Sequence, residues 1–350
     1  MSSAVDPSLE QSEPSASPLW MVAAAPALNE LVADLQRFRL QLEDSEGTER
    51  IAFSKARIVA ARAEFGEMIR RGERDLHRLA GLVARALIGA HHLRSVVIGE
   101  IEKTRERFTL AVDVSEQDVV DSTDLDLGTR VLGRLAIADG GGWRRAGLIS
   151  NVVEYEPKEP TPLSVYRILT RIKAEEEIWN KVADEIFDLD SIVLKDKQLR
   201  HLGRYVKDVF GIKIVVGTAD DVRAVQKALG ALTFEAEDDE HRALTFVEVK
   251  DYLERESRKQ SGWSAMKSVV RWGGRTFEIQ VQPLSNFLHE RERLTKESHA
   301  SFKTTRERLR DGVAARLPLF GFYRALLRWL FLESTSDPPM HDGVEIVVTE

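Results

Sequence analysis

Arg275-Thr-Phe-Glu-Ile-Gln-Val-Gln282 is the stretch on which the fold turns. Phe277, Ile279 and Val281 alternate with Glu278, Gln280 and Gln282. A period of two marks a strand with one buried face. The polar face is unusual: one carboxylate between two amides suits a cleft more than open solvent. An ordinary amphipathic edge strand would show the same alternation, so the neighbouring segments decide between the two.

Downstream, Pro283 stops the strand and a helix is expected from about Leu284 to Arg310. Upstream, Gly273-Gly274 predicts a hairpin turn back to a strand over Ser264–Arg271. Further upstream, strands are predicted at Leu163–Thr170, Gly211–Val216 and Leu244–Val249, and helices at Ala174–Phe187, Lys195–Val209 and Asp220–Leu232. Strands alternating with helices imply an α+β fold, a mixed sheet with helices packed on it.

The rest of the chain is less regular. Residues 1–26 are rich in Ser, Pro and Ala and read as a disordered tail. Residues 27–94 read as a helical region: one helix carries Leu28, Leu31, Val32, Leu35, Phe38 and Leu42 and ends at Gly47. A longer one runs from about Thr48 to Ala90, with Gly66 and Gly72 as potential breaks. His91 and His92 follow it. No His-Asp pair or spaced histidine set accompanies them, so no metal-dependent phosphohydrolase site is visible. In residues 95–160, strands are considered at Val96–Ile98, Phe108–Val114 and Val131–Ala138, with a turn at Asp139–Gly142. Glu156-Pro-Lys-Glu-Pro-Thr-Pro162 is a proline-rich connector and the expected boundary of a domain spanning 161–311. Residues 312–350 hold an apolar helix, Leu317–Leu332, and a C-terminal tail.

Composition narrows the function classes. The chain has 350 residues with a formal charge of −7, which argues against a broad basic nucleic-acid surface. It has no cysteine, which excludes disulfides, thiolate catalysis and Cys-based zinc sites and fits a cytoplasmic protein. Leu19–Ala25 lacks the preceding basic residues of a signal peptide, and Arg324 and Arg328 interrupt the longest apolar run.

Several polar groups fall at strand ends. Arg171 and Lys173 lie at a strand-helix junction with Lys181 beyond, and Asp208 precedes the Gly211–Val216 strand. Glu278 lies on the opening strand, and Lys250-Asp251-Tyr252 opens a charged loop closed by Gly262-Trp263. Two carboxylates among Lys and Arg suit Mg²⁺ and a polyphosphate; a surface ion-pair network would look the same.

Taken in order, Arg171-Ile-Lys173, Asp208-Val-Phe-Gly211-Ile-Lys213, Lys250-Asp251-Tyr252, Gly262-Trp263 and Glu278-Ile-Gln280-Val resemble the synthetase domain of RelA/SpoT proteins and small alarmone synthetases. Phe302-Lys303 is similar to that family's closing aromatic-Lys. The resemblance covers about Leu163–Arg310. It implies a nucleotidyltransferase-like fold and Mg²⁺-dependent transfer of pyrophosphate from ATP to the 3′-hydroxyl of GDP or GTP. Under it, Arg171, Lys173, Lys181 and Lys213 serve ATP, and Lys250, Tyr252, Trp263 and Lys267 serve the acceptor. Asp208 and Glu278 hold the metal, with Glu278 and Gln280 as the catalytic pair.

The sequence also departs from the family pattern. Ser264-Ala265-Met266-Lys267 stands where the family has polar-Ser-Leu-His, Lys213 and Gln282 stand for arginines, Trp263 for a stacking tyrosine and Glu177 for a serine. These changes lie mostly on the acceptor side. They leave open another acceptor, such as a tRNA 3′ end or an adenosine nucleotide, with Arg255, Arg258, Lys259, Lys267 and Arg271 available to tRNA phosphates. A non-catalytic nucleotide-binding module is a second class. A third is an interaction protein using the apolar C-terminal helix for a second subunit or a membrane surface.

Overall fold

The computed structural model describes residues 25–45, 47–101, 104, 106–135, 137–139, 142–144, 146–173, 175–187, 209–236, 238–253, 263–296, 310–332 and 337–350. They fall into two compact units, one within Met1–Met68, Ala174–Val206 and Lys303–Glu350, the other within Ile69–Lys173 and Lys207–Phe302.

The second unit holds an eight-stranded sheet. Its strands are β2 (His91–Ile101), β3 (Arg107–Asp113), β6 (Ala146–Pro157), β7 (Val165–Ile172), β8 (Phe210–Val216), β9 (Thr245–Asp251), β10 (Met266–Trp272) and β11 (Arg275–Pro283), in the order β3-β2-β6-β7-β8-β11-β10-β9. β8 and β11 run parallel and every other neighbouring pair antiparallel. The proline-bearing stretch 156–162 links β6 to β7, which pair directly. A small hairpin of β4 (Ile137–Asp139) and β5 (Gly142–Arg144) stands apart from this sheet.

Alternation along β11 gives the sheet two unlike faces. Phe277, Ile279 and Val281 are buried with Ile212, Ile214 and Ile168. Helix α2 (Lys55–Ile88) crosses the division between the units at Met68; beyond it, Leu76, Leu79, Ala80 and Val83 are buried in the sheet unit. Helix α6 (Ala219–Ala231) buries Val222, Val225 and Leu229 at i, i+3 and i+7, and Ser268 Oγ donates to its Gln226 at 3.2 Å. A capping box of Thr218 and Asp221 starts this helix. On the other face, helix α8 (Leu284–Lys296) follows β11 directly. Two short helices, α3 (Glu116–Asp121) and α4 (Asp124–Gly133), lie between β3 and β4, and α4 packs Val131 and Leu132 against Val97 of β2.

The first unit is mainly helical: α1 (Pro26–Asp44), the start of α2, α5 (Glu175–Ile186) and α9 (Pro318–Phe331), with β1 (Glu49–Ser54) paired in parallel to β12 (Val344–Thr349). Trp179 stacks on Phe331 at 3.6 Å between ring centroids, and Phe187 packs against Phe320 and Tyr323. Tyr323 donates to the Leu35 carbonyl at 2.9 Å. Helix α7 (Asp239–Arg242) is a single turn in the sheet unit.

Several expectations change. Residues 49–54 form a strand, not the start of a helix, because Ile51 and Phe53 alternate into the core beside β12. Gly66 and Gly72 do not break α2; Gly72 lets the helix approach Phe210, whose ring atoms would lie 2.1 Å from an added Cβ. His91 and His92 open a strand instead of closing a helix, since Gly89 at φ +63 ends α2 and turns the chain. Val131–Ala138 is the end of α4 followed by β4. The C-terminal apolar helix buries Phe320, Phe322, Tyr323, Leu326, Leu327 and Leu330 within its own unit, and Leu317, Leu319, Trp329 and Phe331 are partly buried. No helix among the described residues is long and apolar enough to cross a membrane. The helix expected at Lys195–Val209 lies almost wholly outside the described residues, as does the end of the one expected at Leu284–Arg310.

Candidate functional site

Strand register places four polar side chains in one line. Lys213 of β8 is the partner of Gln280 of β11, Gln280 of Lys267 on β10, and Lys267 of Lys250 on β9. Register partners share a face, so these side chains stand on one side of the sheet across about 14 Å at the usual strand spacing. One step along the strands, Arg171 of β7 is the partner of Gly211, and Gly211 of Glu278. Gly211 has no side chain, so this second row has a gap between Arg171 and Glu278.

Glu278 is the centre of the arrangement. It is only 4% exposed. Gln280 donates to its Oε1, and the Lys267 ammonium lies against Oε2. No hydrogen bond of regular geometry reaches Oε2 among the described residues. A buried carboxylate needs a cation, and here the chain's own lysine supplies it.

A second carboxylate, Glu290 of α8, holds the margin. It pairs with Lys213 at 2.8 Å, accepts from Trp263 Nε1 at 2.7 Å and from Gln282 Nε2 at 3.0 Å. Burial alone would push its carboxyl up; Lys213 and the hydrogen bonds from Lys213, Gln282 and Trp263 outweigh that and hold it below the usual range. Asn286 donates to Gln282 at 2.8 Å and accepts from the Ser264 backbone at 3.2 Å. The sequence reading missed Glu290 and Asn286. Their signal was present: Gln282, Asn286 and Glu290 recur every four residues from strand end into helix.

The remaining expected residues fall as follows. Lys250 pairs with Glu248 at 2.6 Å, and that hydrogen bond raises its pKa. Tyr252 meets Trp263 with ring centroids 5.3 Å apart, and its backbone N–H donates to Ala265 at 2.9 Å. Arg171 is exposed; Lys173 is buried and its backbone N–H donates to Val209 at 2.8 Å. Lys181 lies on α5, in the other unit. Glu177, on the same helix, pairs with the buried Arg310 at 3.5 Å alongside Asp184 at 3.3 Å, which gives this departure from the family's serine a packing role. Asp208, Gly262, Arg255, Arg258, Lys259, Phe302 and Lys303 lie outside the described residues.

Glu278 offers a hard oxygen donor of the kind Mg²⁺ takes, and Mg²⁺ sites typically use one or two carboxylates completed by substrate phosphates. The donor type fits, provided the Lys267 ammonium turns aside. Arg171, Lys213, Lys267 and Lys250 can hold a polyphosphate, and the buried acid among them can accept a proton beside it.

No family model and no curated protein matches the chain. Among solved structures it is similar to small alarmone synthetases. Small alarmone synthetase 1 from Bacillus subtilis, bound to its product pppGpp, has 20% identity over 44% of this chain and 75% of that one, with a TM-score of 0.26. A second structure of that synthetase gives 20%, 44%, 75% and 0.25. The structure of smu.1046c from Streptococcus mutans UA159 gives 17% identity over 44% of this chain and 74% of that one, with a TM-score of 0.23. Likeness at this level says nothing about chemistry, so a functional reading stands on the residues themselves.

Proposed function

We propose that the sheet unit is a pyrophosphotransferase that moves the β,γ-pyrophosphate of ATP onto the 3′-hydroxyl of a guanosine nucleotide. The observation that carries this reading is the buried Glu278 next to a line of cationic and amide side chains on the same sheet face. The order of motifs from Arg171 to Gln280 supports it.

In this reading Arg171 and Lys213 hold the ATP phosphates, and the gap at Gly211 leaves room for them. Lys173 is the other residue of this unit proposed for the ATP side. Tyr252 and Trp263 form the aromatic wall for the acceptor base, with Trp263 oriented by Glu290. Gln280 orients Glu278, which takes the proton from the 3′-hydroxyl. The hydroxyl oxygen bonds to the β-phosphorus, the bond from that phosphorus to the α–β bridging oxygen breaks, and AMP leaves with that oxygen. Mg²⁺ held by Glu278 and Asp208 supplies charge neutralisation and a template for the phosphates when bound. Positioning and neutralisation carry most of the rate in such transfers.

The Lys267–Glu278 ion pair favours a second reading, in which the lysine has taken the metal's place and the face binds nucleotide without chemistry. One assay separates the two. Purified chain is incubated with Mg²⁺ and γ-labelled ATP, offering GDP, GTP, ADP, ATP and tRNA separately, beside Glu278→Gln. The expected result is AMP release with label entering a guanosine nucleotide, reduced on the order of 10²-fold or more in the variant. Absence of AMP with every acceptor, in folded protein that still binds ATP, would establish the binding-only reading.

A further inference from the structure

A second constellation lies on the opposite face of the sheet from Glu278. Glu73 and His77 are one turn apart on α2, and Asp124 is the first residue of α4. One candidate ligand atom from each lies within 4.8 Å of the others. All three residues are buried, at 5%, 3% and 7% exposure. His77 Nε2 is 3.1 Å from Asp124 Oδ1.

The hydrogen bonds around the cluster fix its backbone and leave its functional atoms over. Tyr155 donates to the His77 carbonyl at 3.4 Å, and Asn151, itself accepting from Ser95 at 2.8 Å, donates to the Asp124 carbonyl at 3.0 Å. The Asp124 backbone N–H donates to Glu73 Oε1. Thr123, not Asp124, caps α4. Among the described residues, no hydrogen bond of regular geometry reaches either ring nitrogen of His77 or either carboxylate oxygen of Asp124; Nε2 and Oδ1 meet only as an ion-pair contact. Two carboxylates and an imidazole buried together with unsatisfied atoms are costly unless something charged joins them.

We propose that Glu73, His77 and Asp124 bind one divalent transition-metal cation of the zinc type. The donor set is one imidazole nitrogen and two carboxylate oxygens, all of which zinc accepts. The imidazole disfavours Mg²⁺, so this site is distinct in chemistry from the one expected at Glu278. A dication balances the two carboxylates. Tetrahedral bonds of about 2.0–2.2 Å place ligand atoms about 3.3–3.6 Å apart; His77 and Asp124 already stand near that spacing, and Glu73 has the adjustment to make. The bound ion would tie α2 to the start of α4, which β2, β3 and α3 separate in the chain.

The test uses the full chain without a polyhistidine tag, loaded with Zn²⁺, dialysed and measured for metal by mass spectrometry. About one zinc per chain is expected, with a raised Tm relative to chelator-treated protein. His77→Gln and Asp124→Asn should each lose most of the zinc, and Glu278→Gln should keep it. Should the variants unfold, Co²⁺ loaded into the wild-type chain decides, because a site with an imidazole and carboxylates gives visible d–d bands that Zn²⁺ abolishes. Folded wild-type protein without retained zinc and without cobalt bands would overturn the proposal, as would undiminished zinc in the folded variants or displacement by Mg²⁺ at millimolar concentration.

Discussion

Glu290 shows how a single carboxylate sets the geometry of the candidate site. It joins Lys213, Trp263 and Gln282, side chains from β8, the stretch just before β10 and the end of β11. Its folded pKa lies below the ordinary value, so the ion pair contributes stability above about pH 4.3, the unfolded value. That contribution fades as the pH falls through the lower folded pKa. The expected outcome is that wild-type Tm drops more steeply on acidification than that of Glu290→Gln, which has no such proton to gain. Thermal unfolding followed by circular dichroism at acidic and neutral pH checks this; parallel curves would remove Glu290 from the linkage. Sequence alone placed Glu278 and Gln280 on a polar strand face. It did not show that Lys267 would neutralise Glu278, because that pairing depends on the β10–β11 register.

At the scale of elements, local patterns carried far. The alternation of β11, the turn at Gly273-Gly274 with φ +56 and +70, and the helical spacing of α6 all act between near neighbours, and all were readable. The β1 strand was not, since six residues leading straight into α2 blend with its apolar stripe. Gly72 illustrates the same limit. In an exposed helix, Gly→Ala gains up to about 1 kcal/mol. Here the added methyl would meet the ring of Phe210, itself fully buried. Gly72→Ala is therefore expected to destabilise, by about 1–3 kcal/mol as in other overpacked cores. Denaturant unfolding measures it, and a stabilised variant would show that Phe210 moves aside freely.

At the scale of the whole molecule, chain order and spatial order differ. Each compact unit is assembled from separate stretches of sequence. The first needs both ends, because β1 pairs with β12 from Glu49↔Val344 to Ser54↔Thr349. Removing residues 341–350 is expected to strip the β1 amides of their inter-strand partners while β8 and β11, central in the large sheet, stay protected. Hydrogen exchange on intact and truncated protein reads this directly. Equal protection of β1 in both would mean that its neighbours in the core hold it without β12.

The sequence by itself determined the described strands β7, β8, β9, β10 and β11, the helices α5, α6 and the start of α8, and the two-faced β11 strand that carries Glu278. These follow from residue spacing and turn chemistry, which act over a few positions. Only the tertiary structure decided the β1–β12 pairing, the gathering of Lys213, Trp263 and Gln282 on Glu290, and the meeting of Glu73 and His77 with Asp124. Each of those joins residues distant in the chain. Their partners are set by strand register and helix packing, and no local pattern encodes either.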